Sequence, residues 1–382
     1  MSRTAHRRII GVSDVARIVL GWGAFGILLF AHPLIAAPAP TPALIIALSL
    51  IVAVVIVCAF GVVTQAEALA HKLGDPYGSL VLTLSIVLIE VILISAVMLG
   101  PGEHTTIARD SIMAVSMIIL NLVIGLCLLV GGLRHRGLAH NRTGTSAYLA
   151  MLIVLVSSAF ALPVLIGADG SYTLGQGLVV IALALGLYAF FLFRQMGAQA
   201  ADFTEIGARM PVADAAGDAA ARTDISVVLR ENRREIVTRL AALVATVIPI
   251  VLLSHDMAAL LDDGLGRLGA PPALAGVLIA AIVFLPESIT AVRAALSGEA
   301  QRVSNLCHGA LVSTVGLTIP AVLIIGMATG QTVVLAESPA NLLILAVTML
   351  LSVTTFSAKK ATAVHGAAHL AVFAVYLLVL FR

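Results

Sequence analysis

The sequence predicts an all-α polytopic membrane protein of about 11 transmembrane helices, built as two inverted five-helix repeats plus an extra N-terminal helix. Hydrophobic residues fill 60% of the 382 positions and charged residues only 11%, which is too little charge to cover a water-soluble surface. Apolar runs long enough to cross a bilayer recur along the whole chain. Basic residues concentrate in alternate loops, as they do in a chain that crosses the membrane repeatedly.

Apolar segments separated by short polar loops define the predicted spans. They lie at roughly 15–37, 42–72, 76–100, 107–133, 143–166, 172–194, 236–255, 269–297, 303–328, 333–355 and 363–381. The extra N-terminal helix falls in residues 1–41, the first five-helix repeat in 42–194 and the second in 236–382. Residues 195–235 are polar and rich in Ala and Asp, which predicts a cytoplasmic linker between the repeats.

The charges of the loops predict the orientation of the chain. With the N-terminus in the cytoplasm, the inner loops and span ends carry the basic residues Lys72, Arg134, Arg136, Arg142, Arg293, Arg302, Lys359 and Lys360. The outer loops carry the acidic residues Glu103, Asp169, Asp256, Asp262 and Asp263. Because Lys and Arg accumulate on the cytoplasmic side, the pattern predicts a multi-pass inner (plasma) membrane protein with a cytoplasmic N-terminus and a periplasmic C-terminus.

A short motif occurs at matching places in the two halves. The run Ser85-Ile-Val-Leu-Ile-Glu90 in the third span is similar to Ala281-Ile-Val-Phe-Leu-Pro-Glu287 in the eighth, if one inserted residue is allowed. Each glutamate lies in the second helix of its half, and the two halves cross the membrane in opposite directions. Inverted repeats with a binding site near the midplane are a common plan of secondary transporters.

Glu90 and Glu287 are the main candidates for a functional site. Each lies in an apolar span, where a charged side chain costs roughly 2.5–3.5 kcal/mol and must therefore face protein, water or an ion. We expect these two carboxylates to bind the transported cation and protons. The alternative is that each is a protonated, hydrogen-bonded packing residue.

Two prolines lie beside the candidate site. Pro286 precedes Glu287 and cannot donate to the carbonyl of Ile282, and Pro320 likewise leaves the carbonyl of Gly316 without its helical donor. These two carbonyl oxygens are candidate ligands, since irregular backbone at membrane depth is tolerated where it lines a cavity. A proline kink that serves packing alone is the alternative.

Polar side chains occur in the helix that follows each glutamate. The fourth and ninth spans contain Ser111, Ser116, Asn121, Ser304, Asn305, His308, Ser313 and Thr314. Hard cations prefer oxygen ligands, six to eight of them for calcium. We expect Asn121, Ser116, Ser313 and His308 to take part in ion or proton binding. Hydrogen bonding between helices explains the serines and Asn121 equally well, and a buried, hydrogen-bonded histidine explains His308.

Two stretches of the chain resemble a known family. The run from Glu90 through Ala108-Arg-Asp-Ser-Ile-Met-Ala-Val-Ser116-Met-Ile-Ile-Leu-Asn121-Leu-Val-Ile-Gly125 to Gly131-Gly132 resembles the first repeat of calcium/proton exchangers of the calcium/cation antiporter superfamily. The run from Glu287 to Pro320 is similar to their second repeat, with Gly309 at a family glycine.

Two further runs, Ala68-Leu-Ala-His-Lys-Leu-Gly-Asp-Pro-Tyr-Gly78 and Val97-Met-Leu-Gly-Pro-Gly-Glu-His104, are similar to the bacterial calcium/sodium–proton antiporter branch. The resemblance covers most of residues 60–135 and 270–330. It implies that Glu90 and Glu287 bind the ion and the protons. The Gly-Asn pair that the family carries before each glutamate is replaced here by Ile86-Val87 and Val283-Phe284.

The sequence as a whole therefore predicts a proton-driven cation antiporter that exports Ca²⁺ from the cytoplasm in exchange for H⁺, with Na⁺ and K⁺ as further candidate substrates. Its expected partners are cations, protons and the lipid bilayer, and no cofactor is expected. A monovalent Na⁺(K⁺)/H⁺ antiporter with the same site is one alternative, and a non-transporting membrane scaffold or sensor is another. The sequence contains no enzyme motif and no basic patch interleaved with aromatic residues, so we expect neither catalysis nor nucleic-acid binding.

Overall fold

The computed structural model describes residues 9–35, 40–73, 84, 87–88, 90–92, 94–95, 98, 105–205, 230–271 and 273–381. In these residues the regular structure is helical, and the extended contacts are isolated bridges between loops. The all-α prediction is confirmed. Residues 206–229 of the predicted linker lie outside the described residues.

Ten helices of the described part are long and apolar enough to cross a membrane. They are α1 (Val12–Ile35), α2 (Thr41–Leu73), α3 (Ile107–His135), α4 (Arg142–Ile166), α5 (Leu174–Met196), α6 (Arg233–Arg267), α7 (Ala273–Ser297), α8 (Ala300–Thr329), α9 (Pro339–Ser357) and α10 (Ala363–Leu380). The described residues between 84 and 98 are also helical and belong to the predicted third span. We call them the Glu90 segment.

Helices α3 and α8 form the centre of the bundle and are the most deeply buried. Helix α8 packs against α3, α4, α5 and α7, while α10 covers the outer side of α3. Helices α1, α2 and α6 pack on one another and meet the rest of the described bundle chiefly through α7. Trp22 of α1 fixes this group by donating from its ring N–H to the carbonyl of Ala245 in α6, at 2.9 Å. The carboxylate-bearing helix α7 therefore lies between two groups of helices.

Two predicted boundaries are wrong by more than a turn. The seventh span was expected to end at residue 255, but α6 continues to Arg267, where Arg267 pairs with Asp263 four residues earlier at 2.6 Å. The tenth span was expected to begin at residue 333, but α9 begins at Pro339 after Ser338, whose hydroxyl accepts from the Asn341 N–H. Charged or capping residues set these ends, which apolar length alone does not reveal.

An extended segment therefore precedes α9. Val334 donates its backbone N–H to Thr105, and Leu335 and Ala336 both donate to the carbonyl of Gly170. Glu337 in this segment is buried and accepts from the Ser338 N–H at 3.0 Å. Burial raises the pKa of Glu337 above its ordinary value. The segment joins α3, α4 and α9 at one end of the bundle.

Candidate functional site

Glu90 is buried at the centre of the bundle, with 3% of its surface exposed. Thr314 of α8 donates from its hydroxyl to the Oε2 atom of Glu90 at 2.5 Å. The Oε1 atom is buried and has no hydrogen-bond partner in the described part of the chain. A buried carboxylate oxygen without a partner is costly, so this atom is the one that would take a proton or a cation.

A small cavity adjoins Glu90. It lies between the Glu90 segment, α3 and the first half of α7, and its volume of about 20 Å³ has room for about one water molecule. Its lining consists of Glu90, Ile94, Ile107, Ser111, Val115, Gly276, Ile279, Ala280, Val283 and Phe284. The glutamate and the Ser111 hydroxyl are thus the polar side chains on an otherwise apolar wall.

Glu287 lies in α7 directly after Pro286 and is 8% exposed. It faces a second cavity of about 10 Å³, which is closed by Val55, Ala59, Val62 and Val63 of α2, Ile250 of α6, and Val283 and Pro286 of α7. Val283 lines both cavities, so the two glutamates lie on spaces that share one side chain. The cavities of Glu90 and Glu287 therefore adjoin the same region of α7.

A third carboxylate lies near this second cavity. Val55, Ala59 and Val63 form one ridge of α2 at a spacing of four residues, and Glu67 is the next position on that ridge. Glu67 is half-buried and within electrostatic range of Glu287. The sequence alone gives no sign that Glu67 and Glu287 lie near each other.

The two prolines do not interrupt their helices. Helix α7 continues through Pro286 and α8 continues through Pro320. Next to Pro286, the hydroxyl groups of Ser288 and Thr290 donate to carbonyls four residues earlier, at 2.7 and 3.0 Å. Each proline still lacks the N–H that would bond to the carbonyl four residues earlier. The use of the Ile282 and Gly316 carbonyls as ligands stays a prediction.

The two repeat serines occupy matching positions. Ser116 follows Glu90 by 26 residues (116 − 90), and Ser313 follows Glu287 by the same 26 (313 − 287). Both serines are buried, and each donates its hydroxyl to the carbonyl four residues back, Ser116 at 2.7 Å and Ser313 at 2.9 Å. This equal spacing and bonding is what two copies of one ancestral pair of helices would give.

Asn121 and His308 each bond to other polar side chains rather than to the glutamates. Asn121 falls in a π-helical turn of α3, Ile118–Val123, and its amide donates to Thr348 at 2.9 Å, while its oxygen faces His369 at 3.3 Å. His308 bonds to Ser304 at 3.0 Å. In the described residues neither side chain has a hydrogen bond to Glu90 or Glu287, so their predicted role in ion or proton binding stays a prediction.

The sequence predicts Ser313, and not the adjacent Thr314, as a member of the site. Ser313 and Thr314 are adjacent polar residues in the same buried helix, and sequence alone does not show which one faces the glutamate. In the structure Thr314 reaches Glu90, while Ser313 accepts a hydrogen bond from Tyr188 of α5 at 2.9 Å. The sequence therefore shows that two adjacent polar residues lie here, whereas the packing of α8 shows that Thr314 reaches Glu90 and Ser313 contacts α5.

Apolar spans around two buried carboxylates, one of which has an oxygen without a hydrogen-bond partner among the described residues, are the features of a multi-pass ion transporter. The chain belongs to the sodium/calcium exchanger protein family, whose family model matches residues 43–197 and 238–382. This confirms the resemblance to the calcium/cation antiporter superfamily. Members of the family are antiporters rather than enzymes, and the assignment favours transport over a scaffold role.

Two relatives match most of the chain. The putative ionic transporter y4hA of Sinorhizobium fredii (strain NBRC 101917 / NGR234) is 36% identical over 322 residues, which is 84% of each chain. The sodium-potassium/proton antiporter ChaA of Escherichia coli (strain K12) is 31% identical over 323 residues, or 85% of each chain. The solved structure of the Ca²⁺/H⁺ antiporter protein YfkE has a similar fold, with a TM-score of 0.66 at 16% identity, covering 97% of this chain and 98% of that one.

The hydrogen bond from Thr314 to Glu90 yields the first prediction. A hydroxyl donor stabilises a carboxylate in its charged form, which is the form that binds a cation. Thr314→Val removes the donor and keeps the shape, so we expect the apparent affinity for the transported cation to fall about tenfold, in line with the worth of a hydrogen bond to a charged group. The measurement is the cation dependence of transport in vesicles that contain equal amounts of protein.

Thr314→Ser is the matched control, because it keeps the hydroxyl group. It should retain most of the parental affinity. A parental affinity in the valine variant would show that the hydroxyl has no part in binding.

Pro286→Ala yields the second prediction. Alanine supplies the missing N–H, so the carbonyl of Ile282 is taken back into the helix and is lost as a ligand. We expect the apparent cation affinity to fall more than the maximal rate. Pro163→Ala, at a buried proline of α4 outside both cavities, is the control and should leave affinity at the parental value. An unchanged affinity in Pro286→Ala would assign Pro286 to packing alone.

Proposed function

We propose that this protein is a proton-driven cation antiporter that exports Ca²⁺ from the cytoplasm in exchange for H⁺, with Na⁺ and K⁺ as further candidate substrates. The observation that carries the proposal is Glu90, a buried carboxylate with one oxygen bound to Thr314 and the other without a hydrogen-bond partner among the described residues. Glu287, also buried and on a cavity that shares Val283, is the second carrier group. Glu337, the third buried carboxylate of the described part, precedes α9 and faces Arg109 at 3.9 Å.

The proposed cycle uses competition at these two carboxylates. Ionised Glu90 and Glu287 bind a cation from the cytoplasm, and the neutralised site can then face the other side at a lower electrostatic cost. Protons from the periplasm bind the same oxygens and displace the cation. The inward proton gradient supplies the driving force, because each turn of the cycle returns protons to the cytoplasm.

The number of oxygen ligands bears on the choice of cation. Two carboxylates supply at most four oxygens, whereas Ca²⁺ takes six to eight. Ser116, Ser313 and the carbonyls of Ile282 and Gly316 are the proposed remainder. The sequence similarity to a sodium-potassium/proton antiporter favours monovalent cations as the second candidate. The structural similarity to a Ca²⁺/H⁺ antiporter concerns the fold alone.

The loop contacts support the grouping of segments by side on which the proposed orientation in the bacterial inner membrane rests. The basic loops after α3 and α9 lie side by side, with Leu138 and Ala361 exchanging backbone hydrogen bonds of 2.8 and 2.9 Å. Ser171, in a loop predicted to be periplasmic, forms another bridge with Val334, at the predicted periplasmic end of the tenth span. Segments assigned to the same side of the membrane are thus neighbours. Labelling of single cysteines placed in each loop tests which side is cytoplasmic.

The direct test is proton release from everted membrane vesicles on addition of one cation at a time. Everted vesicles expose the cytoplasmic face, so a transported cation enters the acidified interior as protons leave. We expect Ca²⁺ to collapse the pH difference. A response to Na⁺ or K⁺ and none to Ca²⁺ would replace the calcium proposal with the monovalent one, and no response to any of the three would overturn the antiporter proposal.

Glu90→Gln and Glu287→Gln should each reduce exchange to the level of vesicles without the protein, since glutamine cannot give the site its negative charge. Glu337→Gln is the control, because Glu337 is also buried but lies outside both cavities, and it should retain exchange. Transport and the amount of inserted protein are measured together. Near-parental exchange in either site variant would remove that glutamate from the mechanism.

Exchange should rise as the pH on the cytoplasmic face increases. Protons and cations compete for the same carboxylates, so each displaced proton improves the apparent cation affinity by up to about tenfold per pH unit over the range in which the site titrates. The measurement uses everted vesicles at several external pH values with a constant pH difference across the membrane. A flat profile from mildly acidic to alkaline pH would contradict direct competition.

A further inference from the structure

One ridge of α7 passes both glutamate cavities. Ile279, Val283 and Glu287 follow one another at a spacing of four residues, so their side chains lie on the same face of the helix. Ile279 lines the Glu90 cavity, Glu287 lines the second cavity, and Val283 lines both. From Ile279 to Glu287 the helix rises by about 12 Å. The two cavities are therefore arranged one after the other along α7, with Val283 at their junction.

The walls opposite this ridge come from different helices. The second cavity is closed by the ridge of α2 described above and by Ile250 of α6. Among the described lining residues, Val283 is the one side chain that belongs to both cavities. The first cavity is closed by a ridge in the first turns of α3, which consists of Ile107, Ser111 and Val115.

The two cavities extend toward opposite ends of α7. The Glu90 cavity reaches Gly276 in the first turn of α7, where an added Cβ would lie 3.7 Å from the backbone nitrogen and the Oγ atom of Ser111. The Glu287 cavity takes its α7 wall from Val283 onward. In the proposed orientation the first end of α7 is periplasmic and the other is cytoplasmic. Val283 then separates a cavity on the outer side from a cavity on the inner side.

The side chain of Val283 is suited to excluding water from this junction. The residue is 8% exposed, and its branched apolar side chain has one strongly preferred rotamer in a helix. The cavities beside it, of about 20 and 10 Å³, have room for about one water molecule each at most. An apolar constriction between two such spaces keeps water from linking them, as hydrophobic constrictions do when they close ion channels.

We propose that Val283 is the coupling residue of the antiporter, whose side chain keeps protons and cations from passing directly between Glu90 and Glu287. The proposal rests on the function proposed above, because an exchanger conserves a gradient only if no continuous path joins the two faces. An ion bound at the site then crosses through a change of conformation rather than along a chain of water molecules. Shortening Val283 opens such a chain, and protons cross without a cation moving in return.

Two other buried valines provide matched controls. Val115 of α3 lines only the Glu90 cavity and is 2% exposed, and Val62 of α2 lines only the Glu287 cavity and is 1% exposed. An alanine at either position removes the same two carbon atoms as an alanine at Val283. Each control therefore enlarges one cavity and leaves the side chain between the cavities in place.

The first measurement is the decay of an imposed pH difference in proteoliposomes that contain equal amounts of the full chain. Choline is the only other cation and a permeant anion balances the charge, so cation exchange contributes nothing to the decay. We expect Val283→Ala to lose the pH difference about tenfold faster than the parental protein, the ratio that corresponds to the transfer of two carbon groups. Val115→Ala and Val62→Ala should keep the parental rate. A parental rate in Val283→Ala, or equally fast decay in all three variants, would overturn the proposal.

A second pair of variants keeps residue 283 close to the size of valine, so it decides the question even where Val283→Ala does not fold. Val283→Thr replaces a methyl group by a hydroxyl, which makes the junction polar at nearly constant shape. Val283→Ile keeps the junction apolar. We expect severalfold faster decay with threonine and the parental rate with isoleucine. Equal rates in the two variants would contradict a barrier that acts by excluding water.

The third measurement shows whether the leak runs through the site. Adding Glu90→Gln to Val283→Ala removes a carboxylate that passes protons across the opened junction, so the decay should slow toward the parental rate. A leak that Glu90→Gln leaves unchanged would mean that protons bypass the site, and the proposal would fail. Failure of the antiporter function is a different result, because the parental protein then releases no protons when any of the three cations is added.

Discussion

The burial of the Glu90 carboxylate in an apolar bundle is the constraint on which the rest of the site depends. At that depth a carboxylate has to be protonated, hydrogen-bonded or bound to a cation, because mostly apolar side chains rather than bulk water surround its charge. Thr314 satisfies one of its oxygens, and the other has no hydrogen-bond partner among the described residues. Such a group is stable only while something occupies the second oxygen, and a proton or a cation can do so in turn. A site that costs free energy when it is empty favours the exchange of a proton for a cation.

The geometry of the Thr314 contact in turn depends on the position of α8. This helix crosses the centre of the bundle, and two of its glycines allow the rings of Tyr148 and Tyr188 to lie against its backbone. A methyl group would lie 3.2 Å from the Tyr148 hydroxyl at Gly309 and 3.2 Å from the Tyr188 ring at Gly316, tighter than ordinary contact, and would press α8 away from its neighbours. Protein interiors are packed too densely to absorb such a change without movement. The position of α8, and with it the contact between Thr314 and Glu90, therefore depends partly on residues of α4 and α5.

The fold followed from the sequence because apolar length and loop charge are strong signals in membrane chains. The bounds of α3 and α4 agree with the predicted spans to within two residues. The two glutamates and the equal spacing to Ser116 and Ser313 were also visible, since depth and spacing are properties of the chain itself. The division into two five-helix repeats remains a prediction.

The directions in which individual side chains point were not visible in the sequence. Asn121 lies in a π turn of α3, which holds an extra residue and so rotates the helix face away from the regular 3.6-residue spacing. Its amide consequently bonds to Thr348 and His369 rather than to a glutamate. Ser313 and Thr314 show the same limit, because contact with Tyr188 decides which of two adjacent hydroxyls faces Glu90. A third case is Glu67, whose nearness to Glu287 follows from how α2 packs on α7.

Charge balance connects this site to the coupling of the two fluxes. When both glutamates are ionised the site carries two negative charges, and one Ca²⁺, two monovalent cations or two protons bring it to neutrality. Each of these loaded states faces a similar, small electrostatic cost in the apolar bundle, whereas a half-neutralised site keeps one buried charge and is disfavoured by several kcal/mol, on the order of the cost of an unpaired charge in a membrane helix. Under the proposed function, the fully loaded states are then the ones that change sides. A pair of carboxylates in low-dielectric surroundings would thus couple protons to cations by excluding the intermediates, and the proposed hydroxyl and carbonyl ligands would affect which cation is held without changing that balance.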